Sequence, residues 1–368
     1  MEQFVCVRVT EISRLHHGLF QFDKNLSFAI LIANADLDIY GRYGTRAGGG
    51  FIAANRPEPD TLFLATKDLS VKGFRKSMER ALEFHETWKK DKVRTSQTLA
   101  AKRGRFYLDR PLRKPTTPIR VSRARGCVHC HQVVEQEVQH YWNKGRAVPD
   151  QILWSYPMPE RLGFACDPAE CATVESVTPR GEADRAGLRI GDQILRLAGQ
   201  PILSIADIQW ALHEAPDIGT ISFEVDRNGE EKVISLTLPQ GWRRRDGFAW
   251  RYAYNELKWK VLGLDQMKDI EEDQREKLGI GNRESAIRIG QVIRDKSPWF
   301  RTYCNLAAWK VGVRGGDIIL DIDGQGRLDE SGFMAYVLQE TKPGDIINLT
   351  ILRNGVRKKF TYRLNTLK

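Results

Sequence analysis

Two stretches of this chain, far apart, are written by one rule. Residues 187–200 read GLRIGDQILRLAGQ and residues 312–325 read GVRGGDIILDIDGQ. An internal repeat of this kind commits a chain to building one supersecondary unit twice. Its physics is legible. Ala183 and Ala186 start a short helix, Gly187 ends it where a positive φ is wanted, and Gly191-Asp192 turns the chain into a buried strand. Ser204–His213 reads as a helix with Ile208 and Leu212 on one face. The strands Ile221–Val225 and Val233–Leu238 then pair through Asn228-Gly229. The second copy supplies a helix at Glu330–Glu340 and a hairpin turning at Asn354-Gly355, with a longer insert at 299–311 in place of the small residues.

This grammar resembles the PDZ domain. Arg161-Leu162-Gly163-Phe164 is similar to the PDZ carboxylate-binding loop, and residues 174–202 resemble the bacterial PDZ core through Ala183, Ala186, Gly187, Leu188, Gly191, Asp192, Ile194 and Leu195. The resemblance implies two PDZ-like β-barrel or sandwich domains that bind polypeptide C-termini or exposed β-strands by strand addition. The amides of Leu162, Gly163 and Phe164 would cradle the carboxylate, and Ile208 and Leu212 would line the pocket for the last side chain. Leu278, Gly279 and Ile280 would be the corresponding loop of the second copy.

A second signal is Cys127-Val128-His129-Cys130-His131. C-x-x-C-H is the attachment pattern for covalent haem c, with His131 offering an imidazole to the iron. Zinc and a redox-active dithiol remain open alternatives. Val134, Val138 and Trp142 follow four apart, so the motif opens an amphipathic helix. Met158, on the stiff Tyr156-Pro157-Met158-Pro159 loop, is the preferred second ligand of the iron, and His140 the lesser one.

The N-terminal part reads as a strand at Phe4–Val9, an apolar strand at Leu26–Ala33, a turn at Asn34–Asp38, a strand at Ile39–Gly44 and a helix from the cap Ser70 to Trp88. The run AILIANADLDIYGRYG resembles the hairpin of thioredoxin-like folds. The chain starts too late to hold that family's C-x-x-C, and Leu26-Ser27-Phe28 stands where its cis-proline would be, so no thiol-disulfide activity is expected here. Cys6 reads as a small core residue, His16 and His17 as solvated, and Cys166 and Cys171 as inert thiols or a local disulfide.

The expected fold class is therefore α+β multidomain: a partial thioredoxin-like α/β domain at 1–92, a basic connector and C-x-x-C-H segment at 93–159, a PDZ domain at 160–240, and a linker with a second PDZ domain at 241–368. The order resembles bacterial thioredoxin/PDZ proteins, some of which carry a selenocysteine motif upstream. The PDZ repeats also resemble those of high-temperature-requirement serine proteases. With no G-x-S-x-G and no protease-sized stretch ahead of the repeats, the chain is not expected to be an enzyme by itself. The expectation is an extracytoplasmic PDZ scaffold with a haem-bearing redox segment and a redox partner protein. The alternatives are a scaffold alone, or a thiol oxidoreductase whose motif lies upstream.

Charge narrows the partners little. The formal charge is +10, densest at Lys89–Arg125 and Arg243–Arg245, but no nucleic-acid reading motif accompanies it. No apolar run approaches the roughly 20 residues of a membrane helix. No secretory leader is visible at Met1–Val9, while the C-x-x-C-H motif points to the periplasm or another extracytoplasmic space.

Overall fold

The computed structural model describes residues 3–9, 19–26, 28–44, 68–103, 130–245, 247–294 and 304–366. In chain order, strands β1 (Ile30–Ala33) and β2 (Ile39–Tyr43) precede helices α1 (Val71–Lys90), α2 (Lys92–Leu99) and α3 (Cys130–Trp142). Next come β3 (Phe164–Cys166), β4 (Val174–Val177), α4 (Glu182–Ala186), β5 (Gln193–Leu197), β6 (Gln200–Pro201), α5 (Ile205–Glu214), β7 (Gly219–Arg227) and β8 (Glu230–Leu238). The remainder holds α6 (Tyr252–Leu257), β9 (Leu264–Asp265), β10 (Lys268–Asp269), α7 (Glu272–Lys277), β11 (Ile287–Arg288) and β12 (Gln291–Val292). It ends with β13 (Ile318–Ile322), α8 (Glu330–Glu340), β14 (Ile346–Arg353) and β15 (Val356–Arg363).

Contacts group these elements into two compact units, Met1–Pro111 with Trp154–Asp246 and Leu112–Leu153 with Gly247–Lys368. In the first unit, β6-β5-β7-β8 form one sheet and β3-β4 a second, antiparallel pair. Ser204 caps α5 through its Oγ, which accepts from Ala206 N at 3.1 Å. The Asn228-Gly229 turn has both residues at positive φ, as a tight hairpin requires.

The N-terminal segment packs onto this unit by a face its sequence does not advertise. Helix α1 fully buries Gly73, Ser77, Ala81 and Trp88, while Met78 and Phe84 are only partly buried and Val71 is 88% exposed. The small residues let the helix backbone touch a loop: a Cβ on Gly73 would lie 1.9 Å from the Pro168 carbonyl oxygen. Ser77 Oγ donates to the Leu203 carbonyl at 2.9 Å. Above α5, the buried Asp207 accepts from Arg42 N at 3.1 Å and Leu203 N at 3.0 Å, and Lys102 Nζ stands 3.0 Å from its Oδ2. Burial drives the Lys102 ammonium down to about 8, with Asp207 pulling the other way.

The thioredoxin-like reading is corrected here. β1 and β2 form the expected hairpin, closed by Asn34 and Asp38, but it is a two-stranded sheet of its own. Phe4–Val9 is not a strand, and Val5 and Val7 are 94% and 79% exposed. Cys6 is exposed too, while Cys166 and Cys171 are buried free thiols. His16 and His17 lie outside the described residues. A hairpin followed by a helix is common to many folds. It becomes thioredoxin-like only inside a larger central sheet.

In the second unit, β10-β11-β13-β14-β15 form one sheet and β9-β12 a small pair. Helix α3 begins within the cysteine motif as expected and buries Val134, Val138 and Trp142. Trp142 Nε1 donates to the Asn365 carbonyl at 3.4 Å.

Candidate functional site

The 3₁₀ turn Pro159–Leu162 delivers the chain to Gly163, whose φ of +81° lies in the left-handed region and so favours glycine. Its amide donates to Glu160 O at 3.0 Å and its carbonyl accepts from Thr178 N at 2.8 Å. The chain then enters β3, where Phe164 pairs with Val177. Among the described residues β4 is the only strand neighbour of β3. Leu162, Phe164, Ile208 and Leu212 meet in one apolar cluster with Met158 and Trp242, and none is more than 7% exposed. The loop and helix residues expected to form a peptide pocket are thus gathered into one place.

Sequence reasoning missed what covers that place. Trp242–Arg245 forms a strap from the C-terminal end of α5 to the loop. Trp242 Nε1 donates to the Pro216 carbonyl at 3.1 Å. The buried Arg243 donates through Nη2 to the His213 and Ala215 carbonyls, and through Nε to Asp217 at 2.9 Å. A guanidinium there meets the negative end of the helix dipole. Arg161 Nη1 donates to Arg243 O at 3.4 Å, and Arg245 Nη1 donates back to Arg161 O at 3.2 Å. Arg245 also grips Glu182 with both nitrogens at 2.6 and 2.7 Å, and this hydrogen bonding holds the Glu182 carboxyl below its ordinary range. The run of arginines after the last strand was the available signal, but it reads as surface charge without the fold.

The corresponding residues of the second unit do something else. Leu278, Gly279 and Ile280 terminate α7, their amides donating to carbonyls of Gln274, Glu276 and Arg275 respectively. Leu278 is 40% exposed and Ile280 is buried with Ile270, Ala286, Ile318, Leu320 and Leu352. A turn closed by Gly281 N donating to Glu284 Oε2 at 2.8 Å follows, so no strand leaves this loop. The expectation of a second peptide loop is corrected on that ground: these three amides serve a helix end.

The described residues expected to hold haem are divided between the two units. Cys127 lies outside the described residues, and Cys130 is the first residue of α3. His131 Nδ1 stands 3.5 Å from Glu135 Oε1 within the second unit. Met158 is 7% exposed in the core of the first unit, where its sulfur accepts from Gln209 Nε2 at 3.0 Å. Each proposed axial ligand is engaged within its own unit, and Met158 is a packing residue.

Residues 160–238 match the PDZ domain. Of the curated proteins, a probable periplasmic serine endoprotease DegP-like from Ectopseudomonas mendocina is 26% identical over 205 residues, 55% of this chain and 40% of that protein. Another from Marinomonas sp. is 24% identical over 52% of this chain and 37% of its own length. The chain thus spans less than half the length of these relatives. Among solved structures, the HtrA-type protease AlgW with decapeptide is 21% identical over 40% of this chain and 42% of that one, at a TM-score of 0.22.

These matches overturn several expectations. The curated relatives are probable DegP-like serine endoproteases, not thioredoxin-like or C-x-x-C-H redox proteins, so the thioredoxin/PDZ resemblance, the haem scaffold and the oxidoreductase alternative are withdrawn. The expectation of a non-enzyme without a protease is corrected by the same relatives. The fold class becomes α+β with one PDZ domain at 160–238, in place of two PDZ domains and a thioredoxin-like domain. The periplasmic location stands, in line with the relatives. No helix among the described residues is long and apolar enough to cross a membrane.

Proposed function

We propose that this chain serves HtrA-type periplasmic proteolysis, with the PDZ domain of residues 160–238 taking hold of the polypeptide to be cut. What supports this reading is the convergence of Leu162, Phe164, Ile208 and Leu212 beside a strand, β3, that has one strand neighbour among the described residues. A peptide adding to that edge would gain main-chain hydrogen bonds, and its last side chain would enter the apolar cluster. Arg161 carries a guanidinium on the loop itself, a group suited to a terminal carboxylate. Because the strap ties Arg161 to the end of α5, the peptide meets a covered pocket. Its apparent affinity is the intrinsic one reduced by the fraction of open molecules.

Fluorescence polarisation with peptides that differ only in a free or amidated C-terminus tests the binding half. Gly163→Val should abolish binding, since the left-handed backbone excludes a β-branched residue and an added Cβ meets Gly181 Cα and Thr178 Cβ at 3.4 Å. Unchanged affinity of that variant, or equal binding of the amidated peptide, would sink carboxylate capture. Casein degradation and fluorophosphonate labelling of the full chain test the proteolytic half. An unlabelled protein that leaves casein intact would refute it, without touching the peptide result.

A further inference from the structure

We propose that the second unit carries a zinc-class divalent cation site built from His131, Glu135 and Glu256. Peptide capture leaves this cluster unused. His131 and Glu135 are four apart on α3 and so share one face, and Glu256 comes from α6. One ligand atom from each lies within 4.8 Å of the others. A tetrahedral zinc holds nitrogen and oxygen ligands at roughly 2.0–2.2 Å, which brings such atoms to about 3.3 Å apart. Rotation of His131 and Glu256, at 17% and 20% side-chain exposure, supplies that contraction. The set of one imidazole and two carboxylates suits zinc among the common divalent ions.

A second observation points the same way. Glu135 Oε1, on a side chain only 5% exposed, accepts no hydrogen bond although it faces His131 Nδ1 at 3.5 Å. An acceptor buried without a donor is costly unless something positive meets it. At present the positive charge comes from Lys260, whose Nζ donates to the other oxygen of Glu135 and to Glu256 Oε2 at 3.2 Å. One ammonium faces two carboxylates there. Lysine is a point charge on a flexible stem, 17% exposed here, so it can leave when a divalent ion enters.

The test uses the full chain, stripped by a chelator and titrated with zinc chloride by calorimetry, with cobalt(II) as a spectroscopic probe. One zinc per chain is expected, raising the thermal midpoint. His131→Ala and the more exposed Glu256→Gln should each weaken it by about 100-fold. Lys260→Met should bind zinc about tenfold more tightly, and zinc should restore the midpoint that this substitution lowers. A purely structural ion-pair cluster would give neither effect. Cobalt should show no thiolate charge-transfer band. The site is overturned if zinc leaves the midpoint unmoved, if Glu256→Gln binds as the parent does, or if binding vanishes only in Cys127→Ser/Cys130→Ser with a thiolate band in the parent.

Discussion

The two repeats hold their scaffolds in the same way and spend their loops differently. In the first unit the buried Asp192 takes both nitrogens of Arg227 at 2.6 and 2.7 Å, and its Oδ2 accepts from Arg189 N at 2.9 Å. In the second, Asp317 takes Arg353 at 2.6 and 2.7 Å and accepts from Arg314 N at 2.8 Å. Each arginine also reaches the carbonyl of the preceding helix-ending glycine, Gly187 at 2.8 Å or Gly312 at 2.7 Å. The repeated Gly-Asp turn and the arginine before Asn-Gly are therefore halves of one bidentate staple. At the loops the likeness ends: Gly163 leads into a strand and Gly279 closes a helix. Repetition of a motif reports how the sheet is held together, not whether a groove is present.

That equivalence can be broken by experiment. Asp192→Ala and Asp317→Ala should each cost about 1 to 2 kcal/mol, because the turn amide and a partly exposed arginine both lose a buried acceptor. Urea unfolding followed by hydrogen exchange in each sheet measures this, and a large loss in one unit alone would show that the staples are not equivalent. Gly73→Ala should cost about 2 kcal/mol in the first unit only, by forcing α1 off the Pro168 carbonyl. An undiminished midpoint would mean that the small-residue face is not what seats the helix.

The two units should also answer pH with opposite signs. Unfolded Lys102 keeps its proton up to about 10.5, whereas the buried folded side chain releases it near 8. Between those values the unfolded state binds more protons, so the first unit should gain stability as pH rises from 8 to 10.5, on the order of 1 to 3 kcal/mol. In Lys102→Met that gain should disappear. Asp269 in the second unit is pushed up to about 6 from 3.8, mainly by burial and then by Asp329. Here the folded state holds the extra proton, so stability present below 3.8 is lost as pH rises through 6. Solvent screening keeps this effect under about 1 kcal/mol. Asp269→Asn should flatten it, and a slope that survives the substitution would assign it to another group.

Much of the scaffold was legible because it rests on local rules. Gly187 and Gly191 have the positive φ their places in the repeat demanded, Ser204 caps α5, and α3 starts where the cysteine motif and the four-residue spacing put it. The convergence of Leu162, Phe164, Ile208 and Leu212 was legible for the same reason, since they belong to one repeat and meet in one cluster. The thioredoxin resemblance failed because Phe4–Val9 alternates like a strand yet finds no neighbour among the described residues.

By itself, the sequence determined the elements whose causes lie within a few residues: helix caps, hairpin turns, the repeated strands and the loop around Gly163. Tertiary structure alone decided which face of α1 is buried, that Trp242 packs into the apolar cluster of Leu162, Phe164, Ile208 and Leu212, and that His131, Glu135 and Glu256 converge. The reason is physical. Local rules act through backbone geometry, whereas burial of a charge or a small-residue face depends on what a distant segment brings against it.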